Sequence, residues 1–348
     1  MNKKVLVVDD EPMNRELFRG YLEMEGYEVL EASNAEEGRE LLILTEPDLI
    51  LLDVMMPGED GFSLCKFIKE NWQEPFLPVV LVTALHDKEN RIKGLSAGAD
   101  DFLSKPLDRL ELTIKARNML RIRELHQNLY HELIFANQVQ RSLFLDHSSV
   151  KQGDFLLYLP YRQVSGDLIE LWEKDGERWG FLADATGHGP SAALISVAVK
   201  ALLNKSCSSP GELLEELNEK LYRLLTNNDL GYYVTGICVK ATADELLFAG
   251  GGHPAGYLKN KNKLTPLVSK QLPIGLVQKL SFEETQLPLS KEDLVILYSD
   301  GLLELLSEQE LEKLLLSEKN KEELYQELKK LTQGASMRDD LSLLAFSF

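Results

Sequence analysis

The first 120 residues alternate short β-branched runs with amphipathic helical stretches, and this alternation limits the fold more than any other feature. The predicted strands are Lys3–Val8, Glu28–Glu31, Asp48–Asp53, Val79–Thr83 and Asp101–Ser104. The predicted helices are Glu11–Glu25, Asn34–Leu44, Gly61–Asn71, Lys88–Ala97 and Asp108–Leu120. Strands that alternate with helices are typical of an α/β doubly wound, five-stranded parallel sheet with helices on both faces.

Polar side chains stand where the predicted strands end. Asp9 and Asp10 end the first strand, Asp53 ends the third, Thr83 ends the fourth, and Lys105 follows the fifth. In such a sheet, ligands bind in the crevice outside the carboxyl ends of the strands. Three converging carboxylates repel one another unless a hard cation lies between them, and Mg²⁺ accepts oxygen ligands of this kind. The lysine and the threonine could then hold a phosphoryl group on one of the carboxylates.

This arrangement closely resembles the CheY-like receiver domain of two-component response regulators, over about residues 3–122. The resemblance is carried by four motifs: Val7–Glu11, Asp53–Gly58, Thr83–Ala84 and Lys105–Pro106. It implies a domain that is phosphorylated by a sensor histidine kinase.

The resemblance also implies a role for each polar residue. Asp53 would be the nucleophile that takes the phosphoryl group. Mg²⁺ would be held by Asp9, Asp10, Asp53 and the backbone carbonyl of Met55. Thr83 and Lys105 would bind the phosphoryl oxygens, and Phe102 stands where the family has its aromatic switch residue.

A stripe of apolar residues at helical spacing follows. Its members are Ile122, Leu125, Leu129, Leu133, Ala136, Val139 and Leu143. The stretch lacks Gly and Pro, so we expect one continuous helix from about Asp108 to Leu145. The stripe can pack on the chain's own domains or pair with a second copy as a short coiled coil, and we expect a homodimer.

From about residue 150, the predicted strands follow one another instead of alternating with helices. They are Phe155–Tyr161, Asp167–Lys174, Arg178–Asp184, Tyr233–Lys240, Glu245–Ala249, Ala255–Lys259, Asp293–Ser299 and Leu341–Phe348. The predicted helices are Pro190–Asn204, Gly211–Thr226, Ser307–Leu316 and Lys321–Leu331. This pattern predicts an α+β domain of packed antiparallel sheets flanked by helices. The expected organisation is a domain over 1–121, a linker helix over 122–149 and a second domain over 150–348.

Acidic residues again stand at predicted strand ends, mostly beside glycines. They occur in Gly166-Asp167, in Asp184–Gly189, in Ser299-Asp300-Gly301 and in Arg338-Asp339-Asp340. Four carboxylates without a Cys/His cluster fit a site for two Mg²⁺ or Mn²⁺ ions better than a zinc site. Two such ions about 3.5–4 Å apart can generate hydroxide and stabilise an in-line displacement at phosphorus.

This second set resembles the SpoIIE-type branch of the metal-dependent type 2C (PPM) serine/threonine phosphatases, over about residues 135–348. The resemblance is carried by Asp184–Gly189, Tyr298–Gly301, Gly250–Pro254 and Leu272–Leu276. It implies that Asp184 bridges two metal ions. Asp167 and the Ala185 carbonyl would complete one side of the site, and Asp300 and Asp339 the other.

The chain departs from the usual pattern of that branch at three places. Ser165-Gly166 replaces a double glycine, a later carboxylate is Glu170, and Ser342 replaces a threonine. None of these changes removes a predicted metal carboxylate, so we expect an active phosphatase.

Composition excludes other classes of protein. The 348 residues include 38 Lys and Arg against 56 Asp and Glu, which gives a formal net charge of −18. Such an acid excess argues against nucleic-acid binding, which requires a basic surface. No apolar run reaches the ~18–20 residues of a bilayer span, so we expect no membrane partner. The apolar run Val5–Val8 is too short for a signal peptide, so we expect a cytoplasmic protein.

Together these observations predict a response regulator whose output is a protein phosphatase gated by phosphorylation of Asp53. The substrate class is a phosphoserine or phosphothreonine protein, and the resemblance implies an anti-sigma-factor antagonist. The alternative is a phosphorylation-controlled adaptor whose inactive phosphatase fold binds a regulatory protein. Loss of metal carboxylates would indicate an adaptor, whereas all four are present: Asp167, Asp184, Asp300 and Asp339.

Overall fold

A computed structural model of the chain describes residues 2–72, 74–83, 88–144, 150–226, 231–254, 256–260, 263–317, 320–333 and 337–348. The chain divides into two compact units, Met1–Glu132 and Leu133–Phe348. Three sequence predictions fall partly outside the described residues, at Ala84, at Ala255 and at 145–149 of the linker. Among the helices that the structure describes, none combines the length and the apolar character needed to cross a bilayer.

The first unit is built on a five-stranded parallel sheet. Its strands are β1 (Lys4–Val8), β2 (Glu28–Ala32), β3 (Leu49–Asp53), β4 (Val79–Thr83) and β5 (Asp101–Ser104). They lie in the order β2-β1-β3-β4-β5, and all neighbours are parallel. Every residue of β3 and β4 is buried, as expected for central strands covered on both faces. The predicted doubly wound fold class is therefore confirmed.

Five helices accompany this sheet: α1 (Pro12–Met24), α2 (Ala35–Thr45), α3 (Gly61–Asn71), α4 (Lys88–Ser96) and α5 (Arg109–Phe144). Local capping explains where two of them begin. The side chain of Asn34 accepts a hydrogen bond from the backbone N–H of Glu37, and that of Asp60 accepts one from Ser63, which satisfies N–H groups that lack helical partners. Helix α5 is continuous over 36 residues, as the stretch without Gly or Pro predicts.

The second unit contains two antiparallel sheets. The strands are β6 (Phe155–Leu159), β7 (Asp167–Lys174), β8 (Glu177–Ala185), β9 (Val234–Ala241), β10 (Glu245–Gly251), β11 (Gly256–Asn260), β12 (Lys263–Leu267), β13 (Thr285–Pro288), β14 (Leu294–Tyr298) and β15 (Leu341–Phe346). Their orders are β13-β10-β9-β8-β7 and β12-β11-β14-β15-β6. The helices are α6 (Pro190–Leu202), α7 (Pro210–Thr226), α8 (Gly301–Leu305), α9 (Glu308–Leu315) and α10 (Lys321–Thr332). This confirms the predicted α+β class.

The two sheets share one apolar core. Phe181 of β8 and Leu344 of β15 belong to the same buried cluster, which also takes in residues of α6 and α7. The sheets approach so closely that a Cβ on Gly180 would lie 2.7 Å from the ring of Phe346. A separate cluster beneath α9 and α10 covers the other face of the second sheet. The unit is therefore layered as helix, sheet, sheet and helix.

The sequence did not predict three short elements, β12, β13 and α8. Both strands lie at sheet edges, where they have one neighbouring strand each. β13 is largely exposed, β12 has Leu267 as its one buried residue, and both contain proline, so neither shows the apolar pattern of a buried strand. Helix α8 has only five residues, too few to show a helical period.

Candidate functional site

The first acidic group lies at the carboxyl ends of β1 and β3, which are neighbours in the sheet. Asp9 and Asp53 are buried and Asp10 is exposed. One carboxylate oxygen from each of the three residues lies within 4.8 Å of the others. We call this set the N-terminal acidic site. The structure thus brings together the three carboxylates that the sequence predicts as Mg²⁺ ligands.

Lys105 supplies a positive charge inside this site. Its Nζ donates to Asp9 Oδ2 at 2.9 Å and to Asp53 Oδ2 at 2.8 Å. Burial lowers the pKa of Lys105, but the hydrogen bonds and charges of the two aspartates outweigh that effect and raise it. Burial raises the pKa of Asp53, and Lys105 lowers it only in part. The lysine therefore stays protonated and partly offsets the repulsion between the carboxylates.

Asn14, near the start of α1, is a residue of this site that the sequence analysis missed. Its Nδ2 donates to both oxygens of Asp9 at 3.1 Å, and the backbone N–H of Glu11 donates to Asp9 Oδ1 at 2.9 Å. These contacts fix the orientation of the carboxylate. A polar residue one helical turn after the Asp-Asp pair was the available sequence signal.

The other predicted residues of the first site are found around Asp53. Thr83 is buried at the end of β4, and β3 pairs Asp53 with the residue just before it. The backbone N–H of Met55 donates to Asp53 Oδ1 at 3.3 Å, while the role of its carbonyl stays a prediction. Phe102 is half-buried, with its ring so close to Gly94 that a Cβ there would lie 2.5 Å from it. A Cβ on Gly61, the first residue of α3, would lie 2.1 Å from the carbonyl oxygen of Asp53, so this position requires glycine.

The second acidic group starts from a cross-strand pair. In the register of β7 and β8, Asp167 lies directly opposite Asp184. Asp167 is buried, and neither of its carboxylate oxygens has a hydrogen-bond partner of ordinary geometry among the described residues. Burial raises the pKa of Asp167 well above its usual value, and the charge of Asp184 adds to this effect. Like charges directly opposite one another destabilise a sheet, so the pair requires compensation.

Two further carboxylates come from the neighbouring ends of β14 and β15, which are antiparallel. Asp300 follows β14, and Asp339 lies shortly before β15. The pKa of Asp184 is raised to about 8 by burial and then by the charges of Asp300, Asp339 and Asp340. We call the four predicted residues the C-terminal acidic site: Asp167, Asp184, Asp300 and Asp339.

This site is more open than the N-terminal one. Among the described residues, the only group of three that brings one ligand atom each within 4.8 Å is Asp9, Asp10 and Asp53. Ligands on opposite sides of a two-ion site are separated by up to about 8 Å, given two metal–oxygen bonds and the distance between the ions. A site of that kind therefore does not require three ligand atoms within 4.8 Å of one another.

Asp340 was not predicted as a site residue, and the structure gives it a positioning role. Its Oδ1 accepts from the backbone N–H of Tyr161 at 2.8 Å, and its Oδ2 accepts from that of Gly166 at 2.7 Å. A Cβ on Gly301 would lie 2.1 Å from the Asp340 carbonyl oxygen. Asp340 thus holds together the segments before Asp167 and after β14.

Ala185, predicted to contribute its carbonyl, ends β8 beside Gly166. A Cβ on Gly166 would lie 3.0 Å from the Ala185 carbonyl oxygen, which explains the glycine at that position. Gly187 and Gly189, in the loop before α6, have φ values of 87° and 80°, which favour glycine.

Glu170 and His253 both stand outside the metal group. Glu170, three residues after Asp167, lies on the opposite face of β7, where Lys200 and Lys205 pair with it. His253 is buried between Thr235 Oγ1 at 3.2 Å and the Tyr298 carbonyl oxygen at 3.1 Å. Because a carbonyl only accepts, Nε2 of His253 carries the proton. Burial lowers the pKa of His253 to about 4.

Both acidic sites have the donor chemistry of hard divalent cations. All side-chain candidates are carboxylates, which Mg²⁺ and Mn²⁺ accept. In the C-terminal acidic site, the strongest observation is the buried Asp167, whose oxygens form no hydrogen bond of ordinary geometry with the described residues. The hydroxyls of Ser342 and Ser299 only partly offset the rise of its pKa, and a buried ionised carboxylate without full compensation is costly. Asp167 and Asp184 therefore fit a divalent cation at the place where they face each other.

Comparisons with known proteins separate the chain into the same two parts. Residues 5–117 match the family described as "Response regulator receiver domain". The phosphate regulon transcriptional regulatory protein PhoB of Pseudomonas aeruginosa is 40% identical over 121 residues, which are 35% of this chain and 53% of that protein. Response regulator PleD of Caulobacter vibrioides is 42% identical over 123 residues, 35% of this chain and 27% of PleD. The chain therefore spans about half or less of these relatives.

The second part resembles a phosphatase domain of known structure. The SiaA-PP2C domain of Pseudomonas aeruginosa superposes with a TM-score of 0.58 at 19% identity, covering 64% of this chain and 98% of that domain. This likeness shows the fold. Residues 174–348, half of the chain, match the family described as "Stage II sporulation protein E (SpoIIE)". The chain therefore belongs to the SpoIIE family and joins its phosphatase-type domain to a response regulator receiver domain.

Proposed function

We propose that the protein is a two-component response regulator whose output is a metal-dependent serine/threonine protein phosphatase. The observation that carries this proposal is the buried pair of Asp167 and Asp184, held opposite each other, with no hydrogen bond of ordinary geometry to either oxygen of Asp167 among the described residues. Buried carboxylates in this arrangement favour bound cations over a purely structural role. We also propose domain boundaries at 1–121, 122–149 and 150–348.

In this proposal, the C-terminal acidic site holds two Mg²⁺ or Mn²⁺ ions. Asp184 would bridge them, Asp167 and the Ala185 carbonyl would complete one side, and Asp300 and Asp339 the other. When bound, such ions supply a hydroxide nucleophile and stabilise charge at the phosphoryl group. Asp340 would keep the backbone of Gly166 in place, since it accepts from that N–H at 2.7 Å.

An exposed arginine, Arg162, stands next to a residue that is tied to Asp340. Tyr161 is tied to Asp340 through its backbone N–H, and the guanidinium of Arg162 lies over its ring, 5.6 Å from the centroid. The ring of Tyr161 also contacts that of His188, at 5.8 Å. We propose that Arg162 attracts the phosphate of a phosphoserine or phosphothreonine protein to an otherwise acidic surface. An anti-sigma-factor antagonist remains the proposed substrate on the basis of the resemblance.

The N-terminal acidic site would receive the phosphoryl group from a sensor histidine kinase. Asp53 would be the nucleophile, and Thr83 and Lys105 would contact the phosphoryl oxygens. One Mg²⁺ would be held by Asp9, Asp10, Asp53 and the Met55 carbonyl. Lys105 supports this assignment, because its ammonium group already lies 2.8 Å from Asp53 Oδ2. The partner kinase and the cytoplasmic location remain predictions of the sequence.

Helix α5 supports the proposed homodimer and the proposed gating. Apolar side chains of the predicted stripe are exposed along it, including Leu125 at 60% and Leu129 at 53%. A second copy that pairs as a short coiled coil would cover them. Phosphorylation of Asp53 would then act through this helix on the assembly of the C-terminal acidic site.

The phosphatase proposal is tested by release of inorganic phosphate from a phosphoserine peptide at increasing Mn²⁺. We expect release that depends on Mn²⁺ and is abolished in Asp184→Asn. A properly folded chain that binds regulatory proteins but releases no phosphate at any Mn²⁺ concentration would instead support the adaptor.

The gating proposal requires a comparison of the same rates with and without beryllofluoride, which mimics a phosphoryl group on aspartate. Asp53→Asn, which cannot take the mimic, is the matched control. A rate that changes in the original chain and not in the variant supports gating, whereas equal rates in both would end this idea.

A further inference from the structure

Gln140 is a buried polar residue on a surface-exposed stretch of α5. Its exposed fraction is 3%, although Gln138, Val139 and Arg141 beside it are all exposed. Burying an amide is unfavourable unless its hydrogen-bonding groups find partners. The position of Gln140 therefore depends on the residues that it contacts.

Gln140 contacts both backbone groups of one residue. The backbone N–H of Ser165 donates to Gln140 Oε1 at 3.1 Å, and Gln140 Nε2 donates to the Ser165 carbonyl oxygen at 2.7 Å. Because an N–H only donates and a carbonyl only accepts, the amide orientation is determined by these partners. The side-chain amide of Gln140 thus pairs with the backbone of Ser165 as a neighbouring strand would.

The same amide also reaches helix α6. Gln140 Nε2 lies 3.1 Å from Ser196 Oγ, and that hydroxyl lies 3.2 Å from the Ser165 carbonyl oxygen. Ser196 is itself buried. One side chain of α5 therefore joins the segment before β7 to the helix that follows the loop after Asp184 and Ala185.

The segment held by Gln140 leads directly to a proposed metal ligand. Ser165 precedes Gly166 and Asp167, and Ser165 Oγ accepts from the backbone N–H of Asp167 at 3.0 Å. Asn137, one turn earlier on α5, donates to the carbonyl oxygen of Gln163. Asn137 and Gln140 of α5 thus hold the backbone segment that leads to Asp167.

We propose that Gln140 is a positioning residue that holds Asp167 and helix α6 in the arrangement that binds metal. This inference rests on the proposed phosphatase function and names the contact through which α5 acts on that site. Gln140 touches neither metal nor substrate. Its effect should therefore appear first in metal affinity and only afterwards in the rate at saturating metal.

The test is calorimetric titration of the full chain with Mn²⁺ alone, in an Asp53→Asn background that removes a ligand of the other acidic site. Gln140→Leu keeps the side-chain size and loses all three hydrogen bonds. We expect it to weaken Mn²⁺ binding by about tenfold, the lower end of what loss of outer contacts to a metal ligand costs. Gln138→Leu, exposed on the same helix, is the matched control and should bind as the background protein does.

A parallel assay should show a higher Mn²⁺ concentration for half-maximal phosphate release in Gln140→Leu, with a smaller change in the rate at saturation. Equal Mn²⁺ affinity in Gln140→Leu, Gln138→Leu and the background protein would overturn the proposal. If Gln140→Leu does not fold, Ser196→Ala decides, since it removes one partner only: weaker Mn²⁺ binding supports the proposal and unchanged binding overturns it. If the background protein itself binds no Mn²⁺ at the C-terminal acidic site, the phosphatase proposal fails, and this inference fails with it.

Discussion

The two acidic sites of this chain are assembled in opposite ways. In the N-terminal acidic site, three carboxylates bring one oxygen each within 4.8 Å of the others, and Lys105 donates to two of them. In the C-terminal acidic site, Asp167 and Asp184 face each other across two strands, and the charges that act on Asp184 come from other carboxylates. The first site carries its own cation, Lys105, whereas we propose that the second takes its cations from solution.

This difference has a consequence for metal removal. A lysine that bridges two carboxylates offsets their repulsion whether or not an ion is bound. A cross-strand pair of ionised aspartates is unfavourable until a proton or a metal ion neutralises part of its charge. We therefore expect chelation to affect the C-terminal acidic site more than the N-terminal one.

The largest expected contrast between the two sites is in covalent phosphorylation. In the proposed function, Asp53 of the receiver is a carboxylate nucleophile, whereas hydrolysis at a two-ion site needs no protein nucleophile. After incubation with acetyl phosphate and Mg²⁺, intact-protein mass spectrometry should show one added phosphoryl group. Asp53→Asn should reduce this species to background, and Asp184→Asn should form it as the original chain does. A phosphoryl group retained by Asp53→Asn would show that the two sites had been assigned the wrong chemistry.

A second contrast is between a charged and a neutral residue that bridges two others. Lys105 joins Asp9 and Asp53 as a cation inside the N-terminal acidic site, whereas His253, outside the C-terminal group of carboxylates, joins Thr235 and Tyr298 as a neutral ring. The pKa of His253 is lowered to about 4 by burial, from an ordinary value of 6.5. Between these values the unfolded chain binds more protons than the folded one, so the free energy of unfolding falls as the pH drops from 6.5 to 4. The histidine should contribute a loss of up to about 3 kcal/mol, since one pKa unit corresponds to about 1.4 kcal/mol.

Urea denaturation of the metal-free chain at several pH values measures this contribution. His253→Gln can still donate to the Tyr298 carbonyl and accept from Thr235, but it does not titrate. The variant should therefore show a flatter decline in stability between pH 6.5 and 4 than the original chain. Parallel declines in the two proteins would mean that folding does not lower the pKa of His253.

The sequence predicted the fold class and the acidic residues at strand ends because both leave local patterns, while metal binding by these carboxylates stays a prediction. Alternating strands and helices predict the parallel sheet, and aspartates at strand ends predict the two acidic sites. The contacts of Asp340 and Gln140 were missed because they depend on long-range geometry, whereas Asn14, five residues after Asp9, was missed although a local signal was available. Gln140 and Ser165 are 25 residues apart, and Asp340 and Gly166 are 174 apart. No local pattern indicates that such residues meet.

Glu170 illustrates a related limit. Its spacing from Asp167 matches the position of a carboxylate in the family pattern, but three residues along a strand place it on the other face of the sheet. There it forms ion pairs with Lys200 of α6 and with Lys205 in the chain after that helix. The packing of α6 brings these two lysines to Glu170. The negative charge of Glu170 was evident from the sequence, whereas its two lysine partners were found only in the structure.

The smallest expected effects, about 1–2 kcal/mol, have opposite signs at the two sites in metal-free protein. Burial raises the pKa of Asp167 well above its usual value, so the residue costs stability as the pH rises above the pKa of the unfolded chain. Asp167→Asn should therefore raise the unfolding temperature at pH 8. Lys105→Met should lower it, because Asp9 and Asp53 lose their shared donor.

Differential scanning calorimetry of the full chain in a chelator distinguishes the two signs, and added Mn²⁺ provides the internal control. With Mn²⁺ present, the original chain should gain stability that Asp167→Asn does not, because the variant has lost a ligand. If Asp167→Asn lowered the metal-free unfolding temperature as Lys105→Met does, Asp167 would have a stabilising partner in the folded chain. The C-terminal acidic site would then be self-compensated like the N-terminal one, and the contrast between them would not hold.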